Sequence, residues 1–84
     1  MMYFVYILIC NDLSLYTGCT NNLEKRLREH NTSKQGAHYT KIRRPVRLVY
    51  SEEYETIAQG RKREAEIKTY TKKKKILLIE TAKK

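Results

Sequence analysis

The stretch YFVYILICNDLSLYTGC, residues 3–19, decides how this chain folds. Its first part, Tyr3 to Cys10, is apolar or aromatic at every position, which is typical of a strand that is covered on both faces. Asn11-Asp12 predicts a turn, and Leu15 to Cys19 predicts a second strand. The stretch therefore predicts a β-hairpin at the start of the chain.

The sequence that follows the hairpin predicts a short amphipathic helix. Asn21, with Glu24 three positions later, predicts a capped helix start. Leu23 and Leu27 are four positions apart and share one face of this helix. Residues 31–45 then predict a polar, basic connection.

The remaining elements complete a small α+β fold. They are a third strand at Val46 to Tyr54, a second helix at Ile57 to Tyr70, and a closing helix from Lys72 with Thr71 as its cap. The order β-β-α-β-α-α predicts a three-stranded antiparallel sheet flanked by helices. A length of 84 residues allows one domain, 1–84.

The chain is strongly basic. Its 18 lysines and arginines stand against 9 aspartates and glutamates, so the net charge is +9. The excess is concentrated in residues 61–84. A basic surface attracts phosphate polymers or anionic membranes. A solvent-exposed face with surplus lysine would give the same composition, so the net charge alone does not identify a function.

Other features of the sequence argue against several classes of protein. The apolar run from Tyr3 to Cys10 is far shorter than the roughly 20 residues of a membrane-spanning helix, and the start lacks the basic region of a signal peptide. Two cysteines are no disulfide framework, so we expect free thiols in the cytoplasm. The set Cys10, Cys19, His30 and His38 lacks the ligand spacing of zinc sites.

Several motifs resemble those of a known family. Val5-Tyr6-Ile7, eight further residues and Tyr16-Thr17-Gly18 resemble the two motifs of the GIY-YIG nuclease superfamily. Asn21 to Asn31 resembles the helix that follows them in the family, and Glu64 stands where the family's metal-binding glutamate is expected. The resemblance covers essentially the whole chain and is to the small stand-alone bacterial GIY-YIG proteins, which implies a GIY-YIG fold.

The chain departs from the family pattern at three points. Val5 replaces the first glycine of the motif, and Cys19 stands where the excinuclease branch of the family has a lysine. No asparagine follows Asn31, although several family nucleases carry one after the glutamate. This last difference favours a non-catalytic module, whereas the intact set of tyrosines, arginine and glutamate favours an enzyme.

The resemblance implies phosphodiester hydrolysis at a site with a divalent metal ion, Mg²⁺ or Mn²⁺. It assigns Tyr6 and Tyr16 to the nucleophile side, and Tyr6 is favoured as the base. The two share one face of the hairpin if its loop has three residues, such as Asn11 to Leu13. Arg26 would bind phosphoryl oxygens with its fork of donors. His30 would serve the chemistry or, with nearly equal weight, cap the helix.

Helical periodicity separates Glu64 from Glu66. The apolar and small residues of the second helix define one broad arc: Ile57, Ala58, Gly60, Ala65 and Ile67. Glu64 falls inside this arc and Glu66 outside it. A carboxylate on the core side is costly unless it is paired or bound to metal, so Glu64 is the predicted metal ligand. A salt bridge from Glu64 to Arg61 or Lys68 is the alternative.

We therefore expect a metal-dependent endonuclease acting on DNA, with RNA as a second substrate class. The rival is a non-catalytic nucleic-acid-binding module of the same fold, and a basic protein of membrane surfaces or ribosomes is the weakest alternative. No part of the sequence resembles a base-reading element, so we expect an unidentified partner protein that directs the chain to its target. We do not expect binding to a membrane. Predicted phosphate contacts away from the chemistry are Lys41, Arg43, Arg44, Arg61, Lys62, Lys72, Lys73, Lys74 and Lys75.

Overall fold

The computed structural model describes residues 1–82, which form a three-stranded antiparallel sheet and four helices. In chain order the elements are β1 (Tyr3–Ile9), β2 (Leu15–Thr20), α1 (Leu23–Thr32), α2 (His38–Lys41), β3 (Arg47–Tyr54), α3 (Ile57–Lys68) and α4 (Lys72–Ala82). The strand order is β2-β1-β3, so β1 is central and β2 lies at one edge. The predicted α+β architecture is confirmed.

The hairpin between β1 and β2 has a three-residue loop, Asn11 to Leu13. Cys10 N–H donates to the Ser14 carbonyl at 2.9 Å and closes the loop. Leu13 adopts a left-handed backbone with φ of 69°, which a loop of this length uses to match the twist of its strands. The loop length agrees with the prediction.

The register of this hairpin places both motif tyrosines on one face. Tyr6 is opposite Gly18, and Leu8 is opposite Tyr16. Residues directly opposite each other share a face, so Tyr6 and Tyr16 point to the same side, as predicted. The leucines of α1 pack on this side too.

α3 and α4 cover the other face of the sheet. Val5 and Ile7 of β1 are fully buried there against Ile67 of α3 and Ile79 of α4. Because β1 is covered on both sides, it is apolar along its whole length. Among the helices of residues 1–82, none is long and apolar enough to span a membrane.

The predicted connection between α1 and β3 contains an additional helical turn, α2. Four residues are too few for a helical period to be visible in the sequence. Thr40 N–H donates to the Ala37 carbonyl at 3.1 Å within this turn. Gly36 precedes it and lies against α1, where an added Cβ would be 2.5 Å from the Glu29 carbonyl oxygen. The close approach holds α2 beside the end of α1.

The predicted cap of α1 was wrong by one residue. Asn22, not Asn21, caps the helix, and its side chain accepts a hydrogen bond from Lys25 N–H at 3.1 Å. β2 continues to Thr20, which pairs with Phe4, so the helix begins one residue later. Adjacent asparagines have the same capping chemistry, and the sequence does not separate them.

The buried face of α3 is narrower than the predicted arc. Gly60 and Ile67 are buried, but Ala58 and Ala65 are exposed, and Ile57 is 46% exposed. Alanine favours a helix on either face, so it is a poor marker of the side that is buried.

Candidate active site

Tyr6 lies across Gly18 of the neighbouring strand. The phenol is 2% exposed, and a Cβ added at Gly18 would lie 2.5 Å from Tyr6 Cζ. Any larger residue at position 18 would displace the ring. Glycine is therefore required here by close approach rather than by an unusual backbone conformation.

A buried row of polar groups begins at the Tyr6 hydroxyl. Tyr6 Oη lies 2.8 Å from His30 Nε2, and His30 Nδ1 lies 2.8 Å from Thr40 Oγ1. His30 and Thr40 are 0% exposed, so the row is shielded from bulk water. The Thr40 hydroxyl donates in turn to the Ala37 carbonyl at 2.9 Å. The row joins β1, α1 and α2 at one place.

Arg44, rather than the His30 ring, caps the C-terminal end of α1. Arg44 Nε donates to the His30 carbonyl at 2.6 Å, and Nη2 donates to the Ser33 and Glu29 carbonyls at 2.6 and 3.1 Å. The imidazole of His30 is thus left facing the tyrosines. The Arg44 guanidinium is engaged by these carbonyls through Nε and Nη2, and its predicted role as a phosphate contact stays a prediction.

Tyr16 packs against the same imidazole and extends the site outward. Its ring centroid lies 5.1 Å from that of His30 and 6.5 Å from that of Tyr6. Tyr39 stacks on Tyr16 at 5.9 Å, and the Arg43 guanidinium lies 3.9 Å from the Tyr39 ring centroid. The stack runs from the buried histidine to an arginine at the surface.

Arg26 of α1 is held beside the phenol of Tyr6. Arg26 Nη1 donates to Glu29 Oε1 at 3.0 Å and to the Gln35 carbonyl at 2.9 Å. The side chain is 27% exposed, so the guanidinium is oriented by the protein and still reaches solvent. Arg26 and His30 share one face of α1, as the spacing predicts.

The surroundings keep both partners of the Tyr6–His30 bond neutral near pH 7. Burial raises the pKa of Tyr6 above its ordinary value, and Tyr16 raises it further, although Arg26 opposes the shift. Burial lowers the pKa of His30 from 6.5 to about 4, and the charge of Arg26 lowers it as well. Neutral imidazole carries one nitrogen with a free lone pair, so it can accept a hydrogen bond from the Tyr6 hydroxyl.

Glu64 approaches the site from α3, on the other side of the sheet. Its side chain is 15% exposed, whereas that of Glu66 is 56% exposed, in line with the predicted difference. Gly60, one helical turn before Glu64, lies against Cys19 of β2, so the Glu64 side of α3 faces β2. Burial and then the charge of Glu64 raise the pKa of Cys19. Lys68 Nζ lies 2.9 Å from Glu64 Oε2. The salt bridge to Lys68, one of the two predicted as alternatives to metal binding, is therefore present.

The donor set allows a metal site with a single protein carboxylate. Within residues 1–82, no group of three or more His, Cys, Asp or Glu could hold an ion together. One carboxylate with waters is a normal arrangement for Mg²⁺, since substrate phosphate oxygens complete its shell. Glu64 therefore fits the predicted role, which stays a prediction.

The predicted phosphate contacts are divided between the two sides of the sheet. Arg43 is tied to Asp12 Oδ2 at 3.1 Å, and Lys74 lies over the Tyr70 ring. The basic residues of α3 and α4 lie on the side of the sheet opposite to Tyr6. This is where contacts away from the chemistry were expected, and their role stays a prediction. They are Arg61, Lys62, Lys72, Lys73, Lys74 and Lys75, and Lys41 lies on α2.

Sequence reasoning missed two polar features. No pattern in the neighbouring sequence pointed to Thr40, because its contact with His30 depends on where α2 lies in the fold. Arg63 Nε lies 2.9 Å from Glu52 Oε1, and the hydroxyls of Tyr50 and Tyr54 also donate to the Glu52 carboxylate. The period-two spacing of residues 50, 52 and 54 on one strand was a signal for this cluster.

Comparison with known proteins identifies the family of this chain and agrees with its fold. The model of the GIY-YIG catalytic domain family matches residues 2–76. A UPF0213 protein of Staphylococcus aureus strain Mu3 is 57% identical over 77 residues, which are 92% of this chain and 93% of that protein. Two solution structures are similar over 96% of this chain and 85% of theirs: a UPF0213 protein from Bacillus halodurans, with 37% identity and a TM-score of 0.62, and a protein from E. faecalis, with 40% and 0.66. This chain belongs to the GIY-YIG nuclease superfamily, in the group of UPF0213 proteins.

Proposed function

We propose that this chain is a metal-dependent endonuclease that hydrolyses phosphodiester bonds in DNA, with RNA as the second substrate class. The observation that carries the proposal is the direct contact of Tyr6, Tyr16 and His30 beside the Arg26 guanidinium. Burying these polar groups costs folding free energy, and apolar side chains would fill the same space at a smaller cost in folding free energy. A catalytic role gives a reason for that cost.

Arg26 is the group that binds the phosphate undergoing attack. Glu29 and Gln35 hold one end of its guanidinium. The other N–H groups of the planar fork can donate to phosphoryl oxygens, where negative charge grows in the transition state. Because the side chain is already oriented, little reorganisation accompanies the reaction.

Tyr6 and His30 together remove the proton of the attacking water. The water oxygen bonds to phosphorus, and the bond from phosphorus to the 3′ oxygen breaks. The water proton passes to the Tyr6 oxygen while Tyr6 gives its own proton to His30 Nε2, and the 3′ oxygen takes a proton from solvent. The products carry a 5′-phosphate and a 3′-hydroxyl. Tyr16, against the imidazole, orients the water.

Glu64 would hold Mg²⁺ or Mn²⁺ through its carboxylate. Its partner Lys68 is 52% exposed and can turn into solvent when an ion replaces it. When bound, the ion neutralises charge on the phosphoryl oxygens and acidifies a coordinated water. Lys68 Nζ keeps the carboxylate compensated in the absence of an ion.

Cleavage of branched, nicked and single-stranded DNA, and of RNA, in Mg²⁺ or Mn²⁺ tests the proposal. We expect the parent protein to cut and Arg26→Ala to lose about 100-fold or more in rate, as for removal of a charge-stabilising donor. Arg28→Ala is the matched control, because Arg28 lies on the same helix with 65% of its side chain exposed. Equal losses in both variants would remove Arg26 from the mechanism.

Glu64→Gln tests the metal ligand. The amide keeps the shape but not the charge, so cleavage should fall by orders of magnitude, since each 1.36 kcal/mol of lost stabilisation is about tenfold in rate. Binding of nucleic acid should persist or strengthen, because a negative charge is removed. The melting temperature should change little, since Lys68 is left half in solvent. A collapse of the melting temperature would instead make Glu64 structural.

The rival function is a non-catalytic nucleic-acid-binding module. The Glu64–Lys68 ion pair favours it, because a paired carboxylate needs no metal to justify its position. This function predicts binding but no cleavage by the parent protein on any substrate in either metal ion. That result would overturn the endonuclease proposal.

Two further parts of the proposal concern the cellular location of the activity and a partner protein. We place the activity in the cytoplasm, where Cys10 and Cys19 would remain the free thiols that the structure shows. We also propose that a partner protein directs the enzyme to its target, because phosphate contacts carry no sequence information. Co-purification of the tagged chain with and without nuclease treatment tests for such a partner.

A further inference from the structure

We propose that Thr40 is a positioning residue that holds His30 in the tautomer with hydrogen on Nδ1. His30 Nε2 is then the bare acceptor that faces Tyr6. The catalytic meaning of this assignment rests on the proposed function, whereas the assignment of the proton does not. No motif of the sequence points to Thr40.

The first step concerns the Thr40 end of the buried row. A threonine hydroxyl has one hydrogen, and that of Thr40 donates to the Ala37 carbonyl at 2.9 Å. Toward His30 Nδ1, 2.8 Å away, Thr40 Oγ1 therefore acts as an acceptor. His30 Nδ1 must carry the hydrogen of this bond.

The second step concerns the Tyr6 end and reaches the same answer. The Arg26 guanidinium beside the phenol carries only N–H donors, so it does not serve as an acceptor for the Tyr6 hydrogen. The Tyr6 hydrogen needs an acceptor, and His30 Nε2 lies 2.8 Å away. If Nε2 carried a hydrogen instead, the buried phenol O–H would lose this acceptor. Both ends of the row thus favour hydrogen on Nδ1 and a lone pair on Nε2.

The position of Thr40 is set by backbone contacts of α2 that do not involve Tyr6. Thr40 is fully buried in this single helical turn, and Gly36 allows the turn to approach the backbone of α1. The Arg43 N–H donates to the Thr40 carbonyl at 3.0 Å and closes the turn. α2 therefore presents a fixed acceptor to the far nitrogen of His30.

Nitrogen NMR of the full-length protein labelled with ¹⁵N-histidine tests the inference directly. The shifts of Nδ1 and Nε2 report which nitrogen carries hydrogen, and His38, which is not fully buried, provides an internal comparison. We expect hydrogen on Nδ1 of His30 in the parent and in Thr40→Ser, which keeps the hydroxyl. In Thr40→Val, which keeps the shape but removes the acceptor, only the Tyr6 end still favours hydrogen on Nδ1, so a measurable fraction of the hydrogen should shift to Nε2.

Cleavage rates provide the second measurement. We expect kcat of Thr40→Val to fall about 10- to 100-fold with little change in KM, as for loss of a group that orients a functional histidine. Thr40→Ser should restore kcat to within a few-fold of the parent. A merely structural role would lower the melting temperature of Thr40→Val without moving the histidine hydrogen.

The outcomes separate this inference from the proposed function. Hydrogen on Nε2 of His30 in the parent spectrum overturns the inference, whether or not the protein cleaves nucleic acid and whether or not Thr40→Val folds. An unchanged tautomer in folded Thr40→Val overturns the role of Thr40. A parent with hydrogen on Nδ1 that cuts no substrate supports the inference and overturns the endonuclease.

Discussion

At the scale of single residues, Tyr6 and Gly18 form one unit. The phenol occupies the space that any side chain at position 18 would fill. The two positions face each other across β1 and β2, so a side chain at position 18 requires a smaller residue at position 6. This contact gives a physical reason for the glycine of the second motif. It keeps the Tyr6 hydroxyl within reach of His30.

The contact predicts a large effect of Gly18→Ala. Because Tyr6 is buried, its ring cannot move away freely, and overpacking of this kind costs about 1–3 kcal/mol of unfolding free energy. The rate of cleavage should fall together with stability. Chemical denaturation and the cleavage assay measure the two effects.

Gly60→Ala is the matched control for this substitution. Its added Cβ would meet Cys19 Sγ at 3.0 Å, a milder contact with a side chain. Alanine also gains roughly 1 kcal/mol over glycine inside a helix, so the net change should be small. If Gly18→Ala were as well tolerated as Gly60→Ala, close approach would not be the reason for Gly18.

At the scale of elements, the end of α1 is anchored to the start of β3. The Asn31 amide donates to the Val46 carbonyl at 3.0 Å and accepts from Val46 N–H at 2.7 Å. Arg44 adds its three bonds to the last carbonyls of the helix. Arg26 and His30 lie on this helix, so the anchor fixes the site through the backbone that carries it.

Arg44→Ala should therefore reduce stability more than it reduces binding of nucleic acid. Loss of three charge-assisted bonds at a half-buried site should cost about 2–4 kcal/mol of unfolding free energy. Arg61→Ala is the comparison, because exposed Arg61 should affect only binding and its dependence on salt. Denaturation curves and binding titrations at two salt concentrations measure both. A stable Arg44→Ala protein with weakened binding would instead make Arg44 a phosphate contact.

At the scale of the whole molecule, the sheet separates two layers with different contents. Tyr6 and Tyr16 of the hairpin and Arg26 and His30 of α1 lie on one side, and α3 and α4 carry most of the basic excess on the other. Glu64 lies on α3 in the second layer, on the side of the helix that faces β2. The proposed site therefore includes residues from both layers.

Burial of neutral His30 predicts that the whole fold loses stability in mild acid. Its pKa is about 4 when folded and 6.5 when free, so the unfolded chain binds more protons between these values. Stability should be complete above pH 6.5 and fall by roughly 2–3 kcal/mol as the pH drops toward 4. Besides burial, the groups that act on the imidazole are Arg26 and Arg44, which lower the pKa, and Glu29, which raises it.

Denaturation of the parent and of His30→Gln between pH 7.5 and 5 measures this effect. The parent should lose stability over this interval, and the variant, whatever its absolute stability, should lose much less. Equal slopes in the two proteins would mean that other groups cause the acid sensitivity.

Local patterns in the sequence were sufficient for most of the fold. The apolar run of β1, the turn signal and the polar residues around α1 each act within a few positions, so their elements could be predicted. The predicted cap of α1 was wrong because Asn21 and Asn22 are neighbours with the same capping chemistry. α2 was missed because it is too short to show a helical period. Alanine misled the prediction of the buried face of α3.

The sequence by itself determined which side chains were candidates for the site, since motif spacing and hairpin register place Tyr6 and Tyr16 on one face and helical spacing aligns Arg26 with His30. Only the tertiary structure decided their partners. His30 meets Thr40, Arg44 caps α1, and Glu64 pairs with Lys68. The reason is physical: spacing sets the direction of a side chain along its own element, whereas a hydrogen bond between elements depends on how they pack.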